Sequence, residues 1–455
     1  QFEGVMAACD VWVNGRRAGS HRGGYTPFDI EISELVHPGA DNQIVIRVDS
    51  RELDDIPPFG NVIDYLTYGG IYREVHLTVT DQLHVAGARV VALDLTEPTA
   101  ERAAGRPAAP AGDTAIAAAT VRVRLHGREA TEAIVHLAAR KVPGVDPPAG
   151  VAAEPPPGAA PGHPAEPADG AADWFDLASV TASDGSQIRD TTTHPEETVV
   201  EIAIPPRTWH LWSPTSPTRY DIRVDVSTPS PAGDVLRDRF VVRTGLRTAT
   251  FARDGFRLNG RRLDLIGLNR HQSFPYAGYA MPWRAQYRDA DILRFELGVT
   301  VVRASHYPQS RHFLDRCDQI GLLVIDEVPG WQHVGTGDAW RRQVMQDVRD
   351  MIETNGHHPS VILWGVRINE SRDDHDLYTR TTRLARSLDP LRATGGVRYF
   401  ARSEFLEDVY TYNDFQHDGR RPPLARPRRV APRGAPYLVT KHNGHMFPTK
   451  RFDQE

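Results

Sequence analysis

The stretch Val361–Glu370, which reads VILWGVRINE, decides the fold of this chain. It begins with a continuous apolar run, which is typical of a strand buried on both faces of a parallel sheet. It ends in an amide and a carboxylate, Asn369 and Glu370. In α/β barrels the active site lies at the C-terminal ends of the strands. The stretch therefore predicts a barrel strand that carries functional side chains at its end.

Short β-branched runs alternate with amphipathic segments on both sides of this stretch, from about residue 251 onwards. We predict seven strands, at Leu265–His271, Thr300–His306, Leu322–Val328, Val361–Glu370, Ala393–Val397, Val409–Asp414 and Tyr437–Lys441. We predict helices between them at Arg284–Leu297, Arg311–Ile320, Ala339–Thr354 and Leu377–Leu388. Repeated strand–helix units indicate a parallel sheet. Because a (β/α)8 TIM barrel needs eight strands, we expect a barrel that is truncated before strand 8.

The first 250 residues carry strand patterns and no helical period of useful length. Val11–Arg16 is a β run that contains Asn14-Gly15, a strong signal for a tight hairpin. Tyr220–Val226 alternates polar and apolar residues, as a half-buried strand does. A stretch rich in Pro, Ala and Gly, at about 143–173, is expected to be an insertion without a packed core. We predict three domains: β domains at 1–80 and 81–250, and a barrel domain at 251–455.

Composition excludes several classes of protein. The chain has 455 residues, 53 Lys and Arg against 59 Asp and Glu, and a net charge of −6, so it has no basic footprint for nucleic acid. It has no apolar run of ~18 residues that could span a membrane. Its two cysteines, Cys9 and Cys317, cannot form a disulfide framework or a cysteine zinc cluster, and we expect both to be buried thiols. The chain starts at Gln1 and both ends are expected to be truncated; without a visible signal peptide, a cytoplasmic location is favoured but not settled.

Six of the seven predicted barrel strands end in polar residues. These ends are Asn269-Arg270-His271, Ser305-His306-Tyr307, Asp326-Glu327, Asn369-Glu370, Tyr412-Asn413-Asp414 and Lys441-His442-Asn443. Strand capping would explain one or two such groups, but not their convergence at six ends. Carboxylates, amides and imidazoles without a phosphate-binding loop suit a sugar. Glycoside cleavage needs carboxyl groups, and Glu370 is the best single candidate for the acid.

The chain resembles the glycoside hydrolase family 2 enzymes, the group of β-galactosidases, β-glucuronidases and β-mannosidases. The matching segments, in chain order, are Val11–Gly15 and Gly69–Arg73, Leu211–Pro214, Arg243–Arg247, Leu258–Gly260, Trp364–Ser371 and Asn443–Pro448. The sequence of these segments most resembles bacterial β-galactosidase-like members. The resemblance implies a partial β jelly-roll over 1–80, an immunoglobulin-like β-sandwich over 81–250 and the TIM barrel.

The resemblance also implies roles for individual residues. Glu370 would be the acid/base and Asn369 would contact the sugar 2-hydroxyl. The other predicted substrate-binding residues are His271, His306, Asn269, Arg270, Tyr412, Trp331 and Trp364. Among these, Tyr412 would hydrogen-bond the nucleophile, and Trp331 is either a sugar-stacking platform or part of the core. We interpret Asp326 and Glu327 as strand caps that pair with Arg270 or Arg303.

No metal or cofactor is predicted. Some family members bind Mg²⁺ through a Glu and a His after strand three, together with the acid/base. Here that stretch reads Gly330-Trp331-Gln332-His333 and lacks the Glu. His333 alone is a poor ligand for a hard cation.

Position 441 departs from the family pattern. The nucleophile of the family is a Glu at the end of strand seven, and this chain has Lys441 there. Without a carboxylate, no glycosyl-enzyme intermediate can form. An ammonium group would also oppose the positive charge of an oxocarbenium-like transition state. Because one base change converts a Glu codon to a Lys codon and the surrounding motif is intact, we interpret Lys441 as a recent single change or a sequence error; a long-standing pseudoenzyme is the alternative.

The leading functional hypothesis is a retaining exo-β-glycosidase of carbohydrate metabolism that acts on β-galactosides. Its partner would be a β-linked oligosaccharide or glycoside, and its β domains would shape the pocket or form homo-oligomer contacts. Two alternatives stay open. One is a non-catalytic carbohydrate-binding protein in which Lys441 pairs with Glu370, and the other is an enzyme specific for glucuronides or mannosides.

Overall fold

The computed structural model describes residues 1–61, 63–95, 114–127, 130–142, 174–182, 186–188, 197–415 and 424–442. The predicted insertion at about 143–173 and the motif Asn443–Pro448 lie outside the described residues.

The N-terminal unit consists of short antiparallel strands. Its strands are β1 Val5–Met6, β2 Ala8–Val13, β3 Arg16–Arg22, β4 Ile44–Asp49 and β5 Gly70–Ile71, with a 3-10 turn at Ser33–Leu35. They form a three-stranded sheet in the order β3-β2-β4 and a separate β1-β5 pair. Asn14 and Gly15 both have positive φ angles, 51° and 79°, which confirms the predicted two-residue hairpin between β2 and β3.

The second unit packs two four-stranded antiparallel sheets around one core. Its strands are β6 His84–Leu95, β7 Thr114–His126, β8 Ile134–Val142, β9 Phe175–Thr181, β10 Ser186–Ile188, β11 Glu197–His210, β12 Arg219–Thr228 and β13 Val235–Thr244. The sheet orders are β10-β11-β7-β6 and β13-β12-β8-β9. Alternate residues of β7, such as Val121, Val123 and Leu125, are fully buried in the shared core, as the period of a strand requires.

The third unit opens with a small antiparallel sheet and continues as strand–helix repeats. The small sheet contains β14 Ala249–Ala252, β15 Gly255–Leu258 and β16 Arg261–Arg262. The parallel strands are β17 Gly267–Arg270, β18 Val301–Ala304, β19 Leu323–Glu327, β20 Val361–Gly365, β21 Ala393–Gly395, β22 Tyr410–Asp414 and β23 Tyr437–His442. The helices are α1 Trp283–Asp291 (continued by a π-helical turn over Ile292–Glu296), α2 Arg311–Ile320, α3 Asp338–Asn355, α4 His375–Leu388 and a short α5 Pro427–Val430.

All seven predicted barrel strands are present and follow one another in chain order. Strands β17 to β21 form one parallel sheet, and β22 pairs in parallel with β23. Two parallel bridges, Gly395 to Val409 and Arg398 to Tyr412, join these two groups. Among the described residues no pairing connects β23 back to β17, so the described strands do not close the barrel.

The second unit is anchored to the start of the parallel strands by polar side chains. Trp212 is fully buried, and its indole N–H donates to the carbonyl of Asp318 at 2.9 Å. The guanidinium of Arg247 donates to the carbonyls of Pro359 and Val361, immediately before and within β20. These contacts give the β-sandwich a structural role as the support of the barrel.

The N-terminal unit packs instead beside the C-terminal ends of β17 and β18. Arg73 donates to the side-chain oxygen of Gln272 at 3.2 Å and to the carbonyl of Pro308 at 3.1 Å. The rings of Tyr25 and Tyr307 stack at 4.3 Å. The N-terminal unit therefore borders the end of the barrel where the predicted site residues lie.

Two further expectations concern the whole chain. Both cysteines are buried free thiols, as predicted. Among the described helices, none is both long enough and apolar enough to cross a membrane.

The contact between Trp212 and the barrel gives a test of the fold. Replacing a fully buried tryptophan with alanine typically costs ~3–5 kcal/mol. We expect Trp212→Ala to lower the free energy of unfolding by about this amount, measured by urea denaturation. Tyr276→Ala is the matched control because Tyr276 is fully exposed. Equal stability of the two variants would contradict the support role of Trp212.

Candidate active site

Two amide side chains hold Glu370 in the loop after the fourth parallel strand, which ends at Gly365 and not at Glu370 as predicted. Its Oε1 accepts a hydrogen bond from Nδ2 of Asn413 at 2.7 Å, and its Oε2 accepts one from Nε2 of Gln332 at 3.2 Å. Glu370 and Gln332 both have left-handed backbone conformations, with φ of 55° and 56°. Such conformations are uncommon outside glycine and cluster at functional sites. The carboxyl group is therefore fixed in orientation from two neighbouring loops.

A buried ion pair lies beneath this carboxyl group. Arg303 on β18 donates twice to Glu327 on β19, from Nη2 at 2.9 Å and from Nε at 3.0 Å. The same Nη2 donates to Oδ1 of Asn369 at 2.7 Å. Both members of the ion pair are 2% exposed. This confirms the interpretation that Glu327 pairs with Arg303.

Glu327 also sets the tautomer of His306. Nδ1 of His306 lies 2.6 Å from Oε1 of Glu327, so Nδ1 carries the proton and donates it. Burial lowers the pKa of His306, although Glu327 opposes this shift, so the ring is neutral. Nε2 of His306 is then an acceptor only. For His271, burial and the nearby His306 and Lys441 lower the pKa to about 3, so it too is neutral.

Several buried polar atoms at the strand ends have no hydrogen-bond partner among the described residues. They are Asn269 Nδ2, His271 Nδ1, His306 Nε2, Asn369 Nδ2, Trp331 Nε1 and Tyr65 Oη. Buried polar groups are normally hydrogen-bonded, so such a concentration indicates a place for a polar ligand. The set contains both donors and acceptors and is carried mostly by neutral groups. It suits the hydroxyl groups of a sugar.

Lys441 on β23 lies near the same group of residues. It is paired in register with Asn413, the donor to Glu370. Its ammonium lies 5.7 Å from the centre of the Phe415 ring. Its charge also contributes to the lowered pKa values of His271 and His306. The cation is therefore within electrostatic range of the predicted sugar-binding histidines.

Two predicted substrate-binding residues lie behind the strands instead. Trp364 is fully buried between β20 and the helices, and its indole N–H donates to Asp389 at 3.0 Å. Arg270 points outward to α1, where it donates to Asp289 at 2.8 Å, and its guanidinium lies over the ring of Phe313. The prediction that they contact substrate is wrong because successive strand residues face opposite sides of the sheet. For the same reason Arg270 does not serve as the partner of Glu327.

Tyr412 also packs away from the predicted position. Its side chain belongs to an apolar cluster with Tyr410, Val430 and Ala431, on the outer side of β22. The next residue, Asn413, is the strand-six side chain whose hydrogen bond to Glu370 the structure shows. The prediction that Tyr412 contacts position 441 is therefore corrected. The side chain of strand six that reaches the site is the amide of Asn413.

Asp326 is a buried carboxyl on the outer side of β19. Its Oδ2 accepts a hydrogen bond from Asn355 at 2.7 Å, and it is fully buried. Burial raises its pKa to about 7, although the hydrogen bond from Asn355 opposes the shift. Asp326 thus belongs to the contact between β19 and α3 and not to the pocket.

Three side chains of the site were not among the predicted site residues. Asn413 and Gln332 directly follow two predicted residues, Tyr412 and Trp331. The sequence did not show which side chain of each neighbouring pair points toward Glu370. Tyr65 comes from the N-terminal unit, and its ring centre lies 5.0 Å from that of His271. No signal in the barrel sequence could identify Tyr65, because the contact joins residues about 200 positions apart.

The loop after β19 does not suit a hard divalent cation. It offers the indole of Trp331, the amide of Gln332 and the imidazole of His333, which packs against the ring of Trp340 at 5.8 Å. Mg²⁺ prefers carboxylate and carbonyl oxygen ligands, and the side chains of this loop supply no carboxylate.

Comparison with known proteins identifies the N-terminal unit and the barrel unit. A sequence profile of the TIM barrel domain of glycosyl hydrolases family 2 matches residues 251–418, and one of the sugar binding domain of the same family matches residues 1–81. A β-galactosidase of Thermoanaerobacterium thermosulfurigenes is 41% identical, over 100% of this chain and 56% of the relative. A β-galactosidase of Rhizobium meliloti is 38% identical, over 97% of this chain and 52% of the relative. The chain spans about half the length of the curated relatives it matches.

Similar proteins at lower identity include β-glucuronidases, and solved structures share the fold. A β-glucuronidase of Bacteroides fragilis is 28% identical, over 87% of this chain and 51% of the relative. The apo structure of Bacteroides uniformis β-glucuronidase 3 is 26% identical, with a TM-score of 0.65 over 91% of this chain and 47% of that chain.

The raised pKa of Asp326 predicts a pH-dependent stability. Since the folded value of about 7 lies above the ordinary 3.8, its contribution is fully present below pH 4 and is lost as the pH rises through 7. Asp326→Asn removes this titration, and the amide of Asn355 can turn to bond it. We expect the stability of the variant relative to the parent to rise between pH 4 and 8 by up to ~4 kcal/mol, at about 1.4 kcal/mol for each pKa unit. Urea denaturation at both pH values measures this difference, and a constant difference would contradict the assignment.

Proposed function

We propose, because the chain belongs to glycosyl hydrolases family 2, that it provides the catalytic centre of a retaining glycoside hydrolase that cleaves terminal β-galactosides. The observation that carries the proposal is Glu370, oriented by Asn413 and Gln332 next to several buried polar atoms that lack partners among the described residues. β-Galactosides are the proposed substrates because the relatives that are 38–41% identical bear the name β-galactosidase.

In this proposal Glu370 acts first as an acid and then as a base. Protonated Glu370 gives its proton to the glycosidic oxygen as the bond from that oxygen to the anomeric carbon breaks. Ionised Glu370 then takes a proton from the water that attacks the glycosyl-enzyme. Asn413 and Gln332 hold the carboxyl plane in place for both steps. Asn369 binds a sugar hydroxyl through its unpartnered Nδ2, since its Oδ1 already accepts from Arg303.

The nucleophile of this mechanism belongs at position 441. A carboxylate there would attack the anomeric carbon and would leave again when water replaces it. Retaining enzymes place the two carboxyl groups ~5–5.5 Å apart. Lys441 carries an ammonium group and no carboxylate, so we propose that the chain with Lys441 lacks turnover and that a Glu at this position restores it.

The finer domain assignments are part of the same proposal. We assign residues 1–80 to a partial jelly-roll domain, residues 81–250 to an immunoglobulin-like sandwich and residues 251–455 to the barrel. The three-stranded sheet and the β1-β5 pair support the first assignment, and the two four-stranded antiparallel sheets support the second.

A non-catalytic carbohydrate-binding protein is the second candidate. The observation that favours it is Lys441 itself, since the hydroxyl-binding atoms are present while the nucleophilic carboxylate is absent from that position. In such a protein the pocket would hold a sugar without cleaving it.

The central test compares the chain with Lys441→Glu. We expect the parent to be inert and the variant to hydrolyse nitrophenyl β-galactoside faster than the β-glucuronide or the β-mannoside. The gain should be on the order of 10⁴–10⁶, the cost of deleting a covalent nucleophile. Lys141→Glu is the matched control, since it makes the same charge change at an exposed strand residue of another unit.

The other outcomes are equally informative. Turnover by the parent at the rate of the variant would contradict the assignment of the nucleophile. If both proteins are folded and bind a galactose-configured inhibitor without hydrolysis, the non-catalytic candidate is correct.

The acid role of Glu370 predicts a dependence on the leaving group. In the Lys441→Glu background, Glu370→Gln should slow hydrolysis of methyl β-galactoside by ~10²–10⁴, the usual value of general acid catalysis. The first step with nitrophenyl β-galactoside should be slowed less, because nitrophenolate leaves without a proton. Pre-steady-state release of nitrophenol measures that step. Equal losses with both substrates would contradict the role as acid.

A further inference from the structure

Tyr65 brings a side chain of the N-terminal unit into contact with the two histidines of the barrel. It lies in the segment between β4 and β5, beside the ends of β17 and β18. Its ring centre is 5.0 Å from that of His271 and 5.9 Å from that of His306, and the two histidine rings are 5.4 Å apart. The three rings therefore form a triangle across the domain boundary.

Each ring of this triangle carries a buried polar atom that needs a partner. Within the described residues Tyr65 Oη, His271 Nδ1 and His306 Nε2 make no hydrogen bond of acceptable geometry, although the hydroxyl of Tyr25 lies near that of Tyr65. Leaving a buried polar group unsatisfied costs ~1–3 kcal/mol. Unsatisfied polar atoms on rings this close indicate a polar ligand group next to Tyr65 and His306.

The proton positions define what that ligand group must be. His306 donates from Nδ1 to Glu327, so its Nε2 offers only a lone pair and requires a donor. Burial raises the pKa of Tyr65 well above its ordinary value, so its hydroxyl keeps its proton and can donate. A hydroxyl group, which both accepts and donates, satisfies the two atoms together. A carboxylate has no proton to offer His306.

We propose that Tyr65 is a specificity-determining residue whose hydroxyl donates a hydrogen bond to one hydroxyl of the glycone, while that sugar hydroxyl donates to Nε2 of His306. The proposal rests on the proposed function, because it assumes that the pocket holds a β-glycoside. It goes further in assigning part of the selection of the sugar to the N-terminal unit and in specifying a neutral hydroxyl at this point of the pocket.

The test measures binding, so it does not depend on turnover. Dissociation constants of methyl β-galactoside and of its 2-, 3-, 4- and 6-deoxy derivatives are determined by NMR titration for the parent and for Tyr65→Phe. This variant removes only the hydroxyl and keeps the ring against His271. Tyr68→Phe is the control, since Tyr68 lies on the same segment and its ring packs on Tyr279 at 5.0 Å. Thermal unfolding confirms that all three proteins are folded.

We expect Tyr65→Phe to weaken binding of methyl β-galactoside by about 3–10-fold, the value of one neutral hydrogen bond. One deoxy derivative should show no loss, because it lacks the sugar hydroxyl that Tyr65 contacts, and Tyr68→Phe should bind as the parent does. Unchanged affinity in Tyr65→Phe, or an equal loss with every derivative, would overturn the inference and leave the proposed function standing. Failure of the folded parent to bind any of the sugars would instead overturn the proposed function, and the inference with it.

Discussion

The ion pair between Arg303 and Glu327 is the interaction on which the rest of the site depends. Removing either residue would leave the other as an unpaired buried charge, which is strongly destabilising. The two residues therefore depend on each other. Arg303 also donates to Asn369, and Glu327 also accepts a hydrogen bond from His306. One charge pair thereby sets the rotamer of an amide and the tautomer of an imidazole on different strands. The proposed sugar-binding atoms of Asn369 and His306 are therefore oriented by contacts within the protein.

The β units complete this arrangement from opposite ends of the barrel. The sandwich satisfies backbone carbonyls at the start of β20 through Arg247, whereas the N-terminal unit covers the strand ends through Arg73 and Tyr25. One contact supports the start of the parallel strands, and the other borders the ends of the strands, where the predicted site residues lie.

The sequence predicted the fold more completely than the site. All seven barrel strands and the Asn14-Gly15 hairpin follow from local patterns, because strand period and turn chemistry are local properties. Glu370, Asn369 and His306 were identified because they end buried strands. Trp364 and Tyr412 were misplaced because a fully apolar strand shows no alternation that would tell its inner from its outer face. Tyr65 required a contact across the chain that no local pattern encodes.

The left-handed backbone at Glu370 limits which residues this position can accept. A β-branched side chain is strongly disfavoured at positive φ, whereas asparagine and glycine tolerate it. Glycine or asparagine at position 370 would therefore keep the loop conformation but would lack the proposed proton donor. Position 441 lies within β23 and has no left-handed backbone angle, so lysine fits the backbone there as readily as glutamate. The two positions of the proposed catalytic pair therefore differ in the substitutions that they tolerate, because the backbone conformation restricts position 370 but not position 441.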